Sequence, residues 1–167
     1  LKHLLIIRDP RDAMVSYLNF HIGKVEYLSK DNSSARIYIE AINNYSNYGD
    51  MLYYIMQERV NFYWQRFIPW FSDKNTFVIH FEDLYSSFLD NSYIEKNSTI
   101  NKLMDYLEID RSRFMSLDLD QILFRSKTAM KSKKKIGVYK DHFEERHYDL
   151  LDNKRFRTIL TEYGYKW

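Results

Sequence analysis

The sequence predicts an α/β protein with a parallel central sheet flanked by helices, and three observations support this prediction. Residues 4–7 (Leu-Leu-Ile-Ile) form a continuous apolar run typical of a strand buried on both faces of a parallel sheet. Residues 76–81 (Thr-Phe-Val-Ile-His-Phe) form a second run, rich in β-branched and aromatic residues. The chain has four glycines and two prolines, too few for a turn-rich β architecture, which favours helices between the strands.

Length and composition predict one folded domain. The 167 residues are enough for a substantial core, and the 45% hydrophobic content excludes a disordered chain. The net charge of +2 is too small to indicate nucleic-acid or membrane binding by bulk charge. No apolar run reaches the roughly 20 residues of a membrane span. The absence of cysteine excludes disulfides and thiolate metal sites. No signal peptide is visible, so the cytoplasm is the expected compartment, although the residues themselves leave it open.

The position of the first strand indicates that residues 1–167 are the C-terminal portion of a longer domain. A strand buried in the middle of a sheet needs neighbouring strands on both sides. Here such a strand opens the chain.

The first strand is followed by the signals of a tight turn and a helix. Asp9 is a favourable N-cap, Pro10 suits the first helical position, and Asp12 falls where a carboxylate can reach back to the cap. Apolar residues then repeat at helical spacing as far as Ile22. Arg8 therefore stands at the carboxyl end of a parallel strand, where the ligands of open α/β sheets collect.

Arg8 and Ser16 are the candidate anion-binding residues of this segment. A helix start favours anions, and the planar donor fork of Arg8 matches a phosphate group. Ser16 lies two turns into the predicted helix and can turn a hydroxyl donor toward the same anion. The alternative is that Arg8 pairs with Asp9 or Asp12 and that Ser16 is a small buried packing residue.

Further helices are predicted at residues 35–47, 52–67, 98–107 and 144–163. Asp50, after the break at Gly49, is expected to cap the second of these, and Pro69 is expected to end it. The strand at 76–81 is followed by Glu82 and Asp83, which favour a helix start.

Residues 127–140 are a basic stretch with six lysines and one glycine, Gly137. The stretch has no apolar face at helical spacing. It is either a solvated basic loop or a loop that clamps phosphate, in which Gly137 allows close approach of the backbone.

Three segments together resemble those of a known family. They are residues 6–17 (Ile-Ile-Arg-Asp-Pro-Arg-Asp-Ala-Met-Val-Ser-Tyr), 78–84 (Val-Ile-His-Phe-Glu-Asp-Leu) and 136–143 (Ile-Gly-Val-Tyr-Lys-Asp-His-Phe). In this order they are similar to three motifs of sulfotransferases that use 3′-phosphoadenosine 5′-phosphosulfate (PAPS): the 3′-phosphate motif, the strand ending in Tyr-Glu-Asp-Leu, and the Arg-Lys-Gly-x-x-Gly-Asp-Trp-Lys-Asn-His-Phe motif. The resemblance implies a P-loop NTPase-like sulfotransferase fold whose N-terminal part lies outside this chain.

The resemblance also implies residue roles. Arg8 and Ser16 would bind the 3′-phosphate of the cofactor. Phe81 stands where the family often has a tyrosine that touches adenine. Met130 stands where a phenylalanine often packs on adenine.

The basic stretch carries the other cofactor contacts that the resemblance implies. Lys133 matches the lysine of the Arg-Lys-Gly motif, and Ser132 and Lys134 stand in place of its arginine and first glycine. Lys134 is a candidate because the neighbouring lysines can supply the missing charge. Gly137 matches the second glycine of the motif.

The family's phosphosulfate loop and catalytic histidine would lie upstream of residue 1. No histidine of this chain matches the catalytic position, so no catalytic residue is assigned and this portion alone is expected to be inactive. The implied reaction moves a sulfuryl group from PAPS to a hydroxyl or amine acceptor of unidentified structure, and it requires no metal. Two alternatives remain: a kinase-like nucleotide phosphotransferase, and a non-enzymatic module whose lysines bind RNA or another acidic partner.

Overall fold

The computed structural model describes residues 1–22, 40–59, 63–89, 98–110, 112 and 136–167. Over these residues the chain is α/β and mostly helical, with a two-stranded parallel sheet. It divides into two compact units, the first comprising Leu1–Arg8 and Pro69–Ile136, the second Asp9–Ile68 and Gly137–Trp167. Within the described ranges, no helix combines the length and apolar character needed to cross a membrane.

The strands are β1 (His3–Ile7) and β2 (Thr76–His80). The helices are α1 (Pro10–Ile22), α2 (Tyr48–Arg59), α3 (Phe81–Leu89), α4 (Thr99–Leu107), α5 (Glu145–Leu151) and α6 (Lys154–Glu162), and 3₁₀ helices span Gln65–Ser72 and Val138–Asp141.

The sheet of the first unit confirms the two predicted strands and their parallel pairing. Its register places Leu4 beside Phe77 and Ile7 beside His80. β2 ends one residue earlier than expected, because Phe81 begins α3 without an intervening loop. This sheet establishes the α/β class, and the P-loop NTPase-like sulfotransferase fold stays a prediction.

The expectation that β1 is buried on both faces is wrong for the described residues. Leu4 and Ile6 remain 43% and 52% exposed, whereas Ile7 of β1 and Ile79 of β2 are buried. α3 and α4 pack against β2 and against each other.

α4 confirms the prediction of a helix at residues 98–107. The side chain of Ser98 accepts a hydrogen bond from the Asn101 N–H and caps the helix. The ring of Tyr106 stacks on Phe77 of β2, with ring centroids 5.1 Å apart. The apolar face of α4 is thereby fixed to the sheet.

The second unit is a helical assembly around α1. α1 packs on α2 and on the 3₁₀ helix Val138–Asp141, and α2 packs on α5. Its core is formed by fully buried apolar side chains, among them Met14, Leu18, Leu52, Ile55, Met56, Leu151, Phe156 and Leu160. Burial of this kind supplies most of the stability of short helices, which are marginal alone.

The helix after Gly49 differs from its prediction at both ends. It begins at Tyr48, because the side chain of Asn47 accepts the Asp50 N–H at 2.8 Å and acts as the cap. Gly49 and Asp50 therefore lie within its first turn. α2 ends at Arg59, and Pro69 lies inside the 3₁₀ helix rather than after a long α-helix. Of the weak helix predicted at 35–47, residues 40–43 are helical and 35–39 lie outside the described residues.

The single helix predicted at residues 144–163 is also wrong. α5 ends at Leu151 and α6 starts at Lys154. The side chain of Asn153 accepts the Phe156 N–H at 2.9 Å and caps the second helix. An Asp-Asn pair favours turns and caps over helix interiors, and here that local preference interrupts the apolar periodicity.

Candidate functional site

Arg8 and Phe81 lie together at one end of the sheet in the first unit. Each directly follows a strand, and the register that pairs Ile7 with His80 brings the two strand ends side by side. The Arg8 guanidinium carbon lies 4.9 Å from the centroid of the Phe81 ring. This distance is within the range of a cation–π contact. Two residues that the sequence assigned to one ligand are thus neighbours at the carboxyl ends of parallel strands.

The Phe81 ring is held in turn by a second aromatic side chain. Tyr85, one turn further along α3 and buried, stacks on Phe81 with ring centroids 5.7 Å apart and an interplanar angle of 12°. A half-buried ring held this way restrains the guanidinium beside it. The arrangement offers a positioned cation with planar N–H donors next to an aromatic surface, which suits a ligand that carries both an anionic group and a flat ring.

The charged side chains at the start of α1, in the second unit, are buried. Asp9 caps the helix as predicted, accepting the Arg11 N–H at 2.9 Å. The Arg11 side chain also returns to Asp9, with Nη2 2.7 Å from Oδ2, and donates to the carbonyl of Lys166 at 3.0 Å. Burial lowers the pKa of Arg11, but the hydrogen bond and charge of Asp9 outweigh it and raise that pKa overall. Asp9 and Arg11 therefore form a buried ion pair.

Asp12 binds backbone groups that lie far from it in the sequence. Its Oδ2 accepts the Gly137 N–H at 2.7 Å, and its Oδ1 accepts the Tyr139 N–H at 2.9 Å. Asp12 is 1% exposed. It therefore ties the end of the basic stretch to the first turn of α1, because two backbone donors satisfy a buried carboxylate.

Ser16 lies two turns into α1 with an exposed side chain. The alternative interpretation of Ser16 as a small buried packing residue is therefore wrong. Exposure leaves its hydroxyl accessible from solvent, as an anion ligand must be.

Gly137 adopts a left-handed conformation, with φ of 71°. Among the described residues other than its two chain neighbours, no atom lies within 4 Å of the position that a Cβ would occupy there. The backbone conformation, rather than a crowded neighbour, is thus what favours glycine at this position. Met130, Lys133 and Lys134 lie outside the described residues.

Arg11 and Tyr139 are residues of this region whose roles the sequence did not indicate. The Arg11 guanidinium carbon lies 4.4 Å from the centroid of the Tyr139 ring. Burial raises the pKa of Tyr139 and the charge of Arg11 opposes that rise. A contact between residues so far apart in the chain leaves no local sequence signal that would have revealed it.

Both ring nitrogens of His147 form hydrogen bonds with the backbone. Its Nδ1 accepts the Glu144 N–H at 2.9 Å, so its Nε2 carries the proton and donates to the Gly49 carbonyl at 2.9 Å. The side chain is fully buried. Both of its ring nitrogens are thus used to hold the backbone together.

Comparison of the chain with protein-family models, with curated proteins and with solved structures finds no match.

Proposed function

We propose that this chain is the C-terminal portion of a PAPS-dependent sulfotransferase and carries its 3′-phosphate ligands. The observation that supports the proposal best is the placement of Arg8 over Phe81 at the carboxyl ends of β1 and β2. The proposal also draws on the family resemblance of the three motif segments described above. That resemblance assigns Arg8 and Phe81 to the same nucleotide, and the two side chains are in contact.

The chemistry of Arg8 suits a dianion. A guanidinium keeps its charge at any physiological pH and presents donors in a planar fork that matches phosphate oxygens. Its contact with Phe81 restrains the side chain before a ligand arrives, which lowers the entropy lost on binding. Arg8 would therefore hold the phosphate, and Phe81 would offer its ring to the adenine.

PAPS, when bound, supplies a sulfuryl group on a good phosphate leaving group. The residues of this chain would bind and orient the nucleotide through its 3′-phosphate, leaving the transfer itself to groups outside the chain. Positioning and stabilisation of spread negative charge are the main contributions a protein makes to such a transfer. The resemblance alone assigns Ser16, Lys133, Lys134, Met130 and Gly137 to the cofactor.

The test is a comparison of two nucleotides that differ in one phosphate. Binding of adenosine 3′,5′-bisphosphate and of adenosine 5′-phosphate to the 167-residue chain is measured by calorimetry, for the unchanged protein and for Arg8→Ala. Loss of charge-assisted hydrogen bonds worth about 1.5–3 kcal/mol corresponds to roughly a tenfold to hundredfold loss of affinity. That loss is expected for the bisphosphate and not for the monophosphate.

Arg157→Ala is the matched control. This residue also places a guanidinium over an aromatic ring, 4.6 Å from the centroid of Trp167, but it lies on α6 with an exposed side chain. The bisphosphate affinity of this variant should stay within about twofold. Equal affinity of Arg8→Ala and the unchanged protein would remove the assignment. Preference for ATP over the bisphosphate would favour the kinase-like alternative. Salt-dependent binding of RNA without nucleotide preference would favour the basic module.

A further inference from the structure

The second unit contains a cavity of about 150 Å³ between α1, α2 and the turn that precedes the 3₁₀ helix Gln65–Ser72. None of the described residues that line it is assigned above to the cofactor. The described residues that line it are three apolar and three aromatic side chains: Ala13, Met14, Ile55, Tyr17, Tyr63 and Trp64.

The size of the cavity indicates what it can hold. A cavity of about 150 Å³ lined by apolar and aromatic side chains is large enough for a benzene-sized molecule. Met14 and Ile55 are 1% and 0% exposed, so the floor of this cavity belongs to the core. Tyr63 is 38% exposed, which places one aromatic wall at the surface and provides an entrance.

The lining favours an aromatic guest over an aliphatic one of equal volume. Tyr17, Tyr63 and Trp64 offer ring faces and edges, and Met14 offers a polarisable sulfur. Aromatic rings gain from each of these contacts beyond the effect of buried area.

The aromatic wall is held in place by contacts outside the cavity. The Tyr163 hydroxyl donates a buried hydrogen bond of 2.8 Å to the carbonyl of Trp64. Burial raises the pKa of Tyr163, so this hydroxyl keeps its proton at all physiological pH values. On the outside, the Arg66 guanidinium lies 4.3 Å from the centroid of the Tyr63 ring. Walls held this way retain the cavity when it is empty.

From this cavity we infer that the second unit binds a neutral molecule with a single aromatic ring. The inference is independent of the proposed sulfotransferase function, since it needs neither Arg8 nor a nucleotide. Binding buries the ring between α1 and α2, with Tyr17, Tyr63 and Trp64 around it and Met14 at its edge.

Fluorobenzene and fluorocyclohexane are suitable probes, because they have similar volumes and differ in aromaticity. Binding to the full chain is followed by ¹⁹F NMR titration. A ligand of this size is expected to bind with a dissociation constant on the order of 0.1–1 mM. Fluorocyclohexane is expected to bind about threefold to tenfold more weakly. Equal affinity for the two probes would contradict the aromatic preference, and no binding of either would overturn the proposal.

Ala13→Leu fills the cavity from α1 and is expected to abolish fluorobenzene binding. Thr161→Leu places the same side chain on the exposed face of α6 and should leave binding unchanged. If a folded Ala13→Leu variant still bound fluorobenzene, the binding site would not be this cavity.

A second variant keeps the test decisive if Ala13→Leu does not fold. Tyr63→Leu removes only a partly exposed wall. It is expected to weaken fluorobenzene about threefold and to change fluorocyclohexane by less than twofold. Equal changes for both probes would contradict the proposed aromatic contact. Because adenosine 3′,5′-bisphosphate binding is measured separately, failure here leaves the proposed function untouched.

Discussion

Asp12 Oδ2 accepts the backbone N–H of Gly137 at 2.7 Å, across 125 residues of sequence. The other oxygen of the same carboxylate accepts the Tyr139 N–H. One buried side chain thus fixes the position of the backbone at the C-terminal end of the basic stretch. The bond couples the motif nearest the start of the chain to the motif nearest its end.

Removing the Asp12 carboxylate should destabilise the second unit. Asp12→Ala leaves the buried N–H of Tyr139 and the partly buried N–H of Gly137 without this acceptor, which costs about 2–4 kcal/mol of unfolding free energy. Asp12→Asn keeps one acceptor oxygen, so its unfolding free energy should lie between those of the unchanged protein and Asp12→Ala. Urea unfolding measures the free energy, and amide hydrogen exchange at Gly137 and Tyr139 locates the loss.

Asp149→Ala is the control for this prediction, because Asp149 is an exposed carboxylate of the same unit. Its unfolding free energy should change by less than about 0.5 kcal/mol. Full protection of the Gly137 amide in Asp12→Ala would show that the hydrogen bond is dispensable.

Asn153 should contribute to stability through the capping of α6. Asn153→Ala removes the acceptor of the Phe156 N–H and is expected to cost about 1 kcal/mol of unfolding free energy. Asn153→Asp keeps a capping oxygen and should cost less than half as much. Chemical denaturation of the three proteins measures the difference. An Ala variant as stable as the unchanged protein would mean that the break between α5 and α6 does not depend on the cap.

Tyr48 should make the protein sensitive to alkaline pH. Burial raises its pKa from 10.0 to about 12, against the hydrogen bond with Asn19, which lowers it. A tyrosine whose pKa is higher in the folded state stabilises that state fully below pH 10. This contribution falls as the pH rises from about 10 to about 12. Tyr48→Phe should therefore flatten the loss of unfolding free energy over this interval.

The slope, rather than the absolute stability, is the measurement that decides the Tyr48 prediction. Tyr48→Phe also loses the hydrogen bond to Asn19, which lowers stability equally at every pH below 10. Tyr148→Phe, at an exposed tyrosine of α5, is the matched control and should keep the slope of the unchanged protein. Identical slopes for all three proteins would contradict the role assigned to Tyr48.

The first strand and the turn after it were predictable because their signals are local. An apolar run gives β1, Asp9 caps α1 as expected, and Pro10 occupies the first helical position. Ser98 likewise caps α4 from the position that the sequence indicates. For both caps, the backbone N–H that the side chain accepts lies two or three residues further along the chain.

Predictions failed where a distant partner or a competing local preference decided the outcome. The bonds of Asp12 with Gly137 and Tyr139 have no signal in the sequence around Asp12, because both partners come from the other end of the chain. Residues 144–163 have a continuous apolar periodicity, yet Asn153 interrupts them with a cap. The contact of Arg8 with Phe81 was predictable only in part. The sequence placed both at strand ends, and the strand register that makes them neighbours is a property of the fold.

The parallel register of β1 and β2 has a consequence for how this protein tolerates mutation. Arg8 reaches Phe81 because the main chain of β1 carries it there, whatever side chains β1 presents to solvent. Replacing Leu4 or Ile6 by another residue that accepts an extended conformation is therefore expected to leave the contact of Arg8 with Phe81 in place. Deleting one residue from the strand would instead send Arg8 to the opposite side of the sheet, away from the aromatic ring.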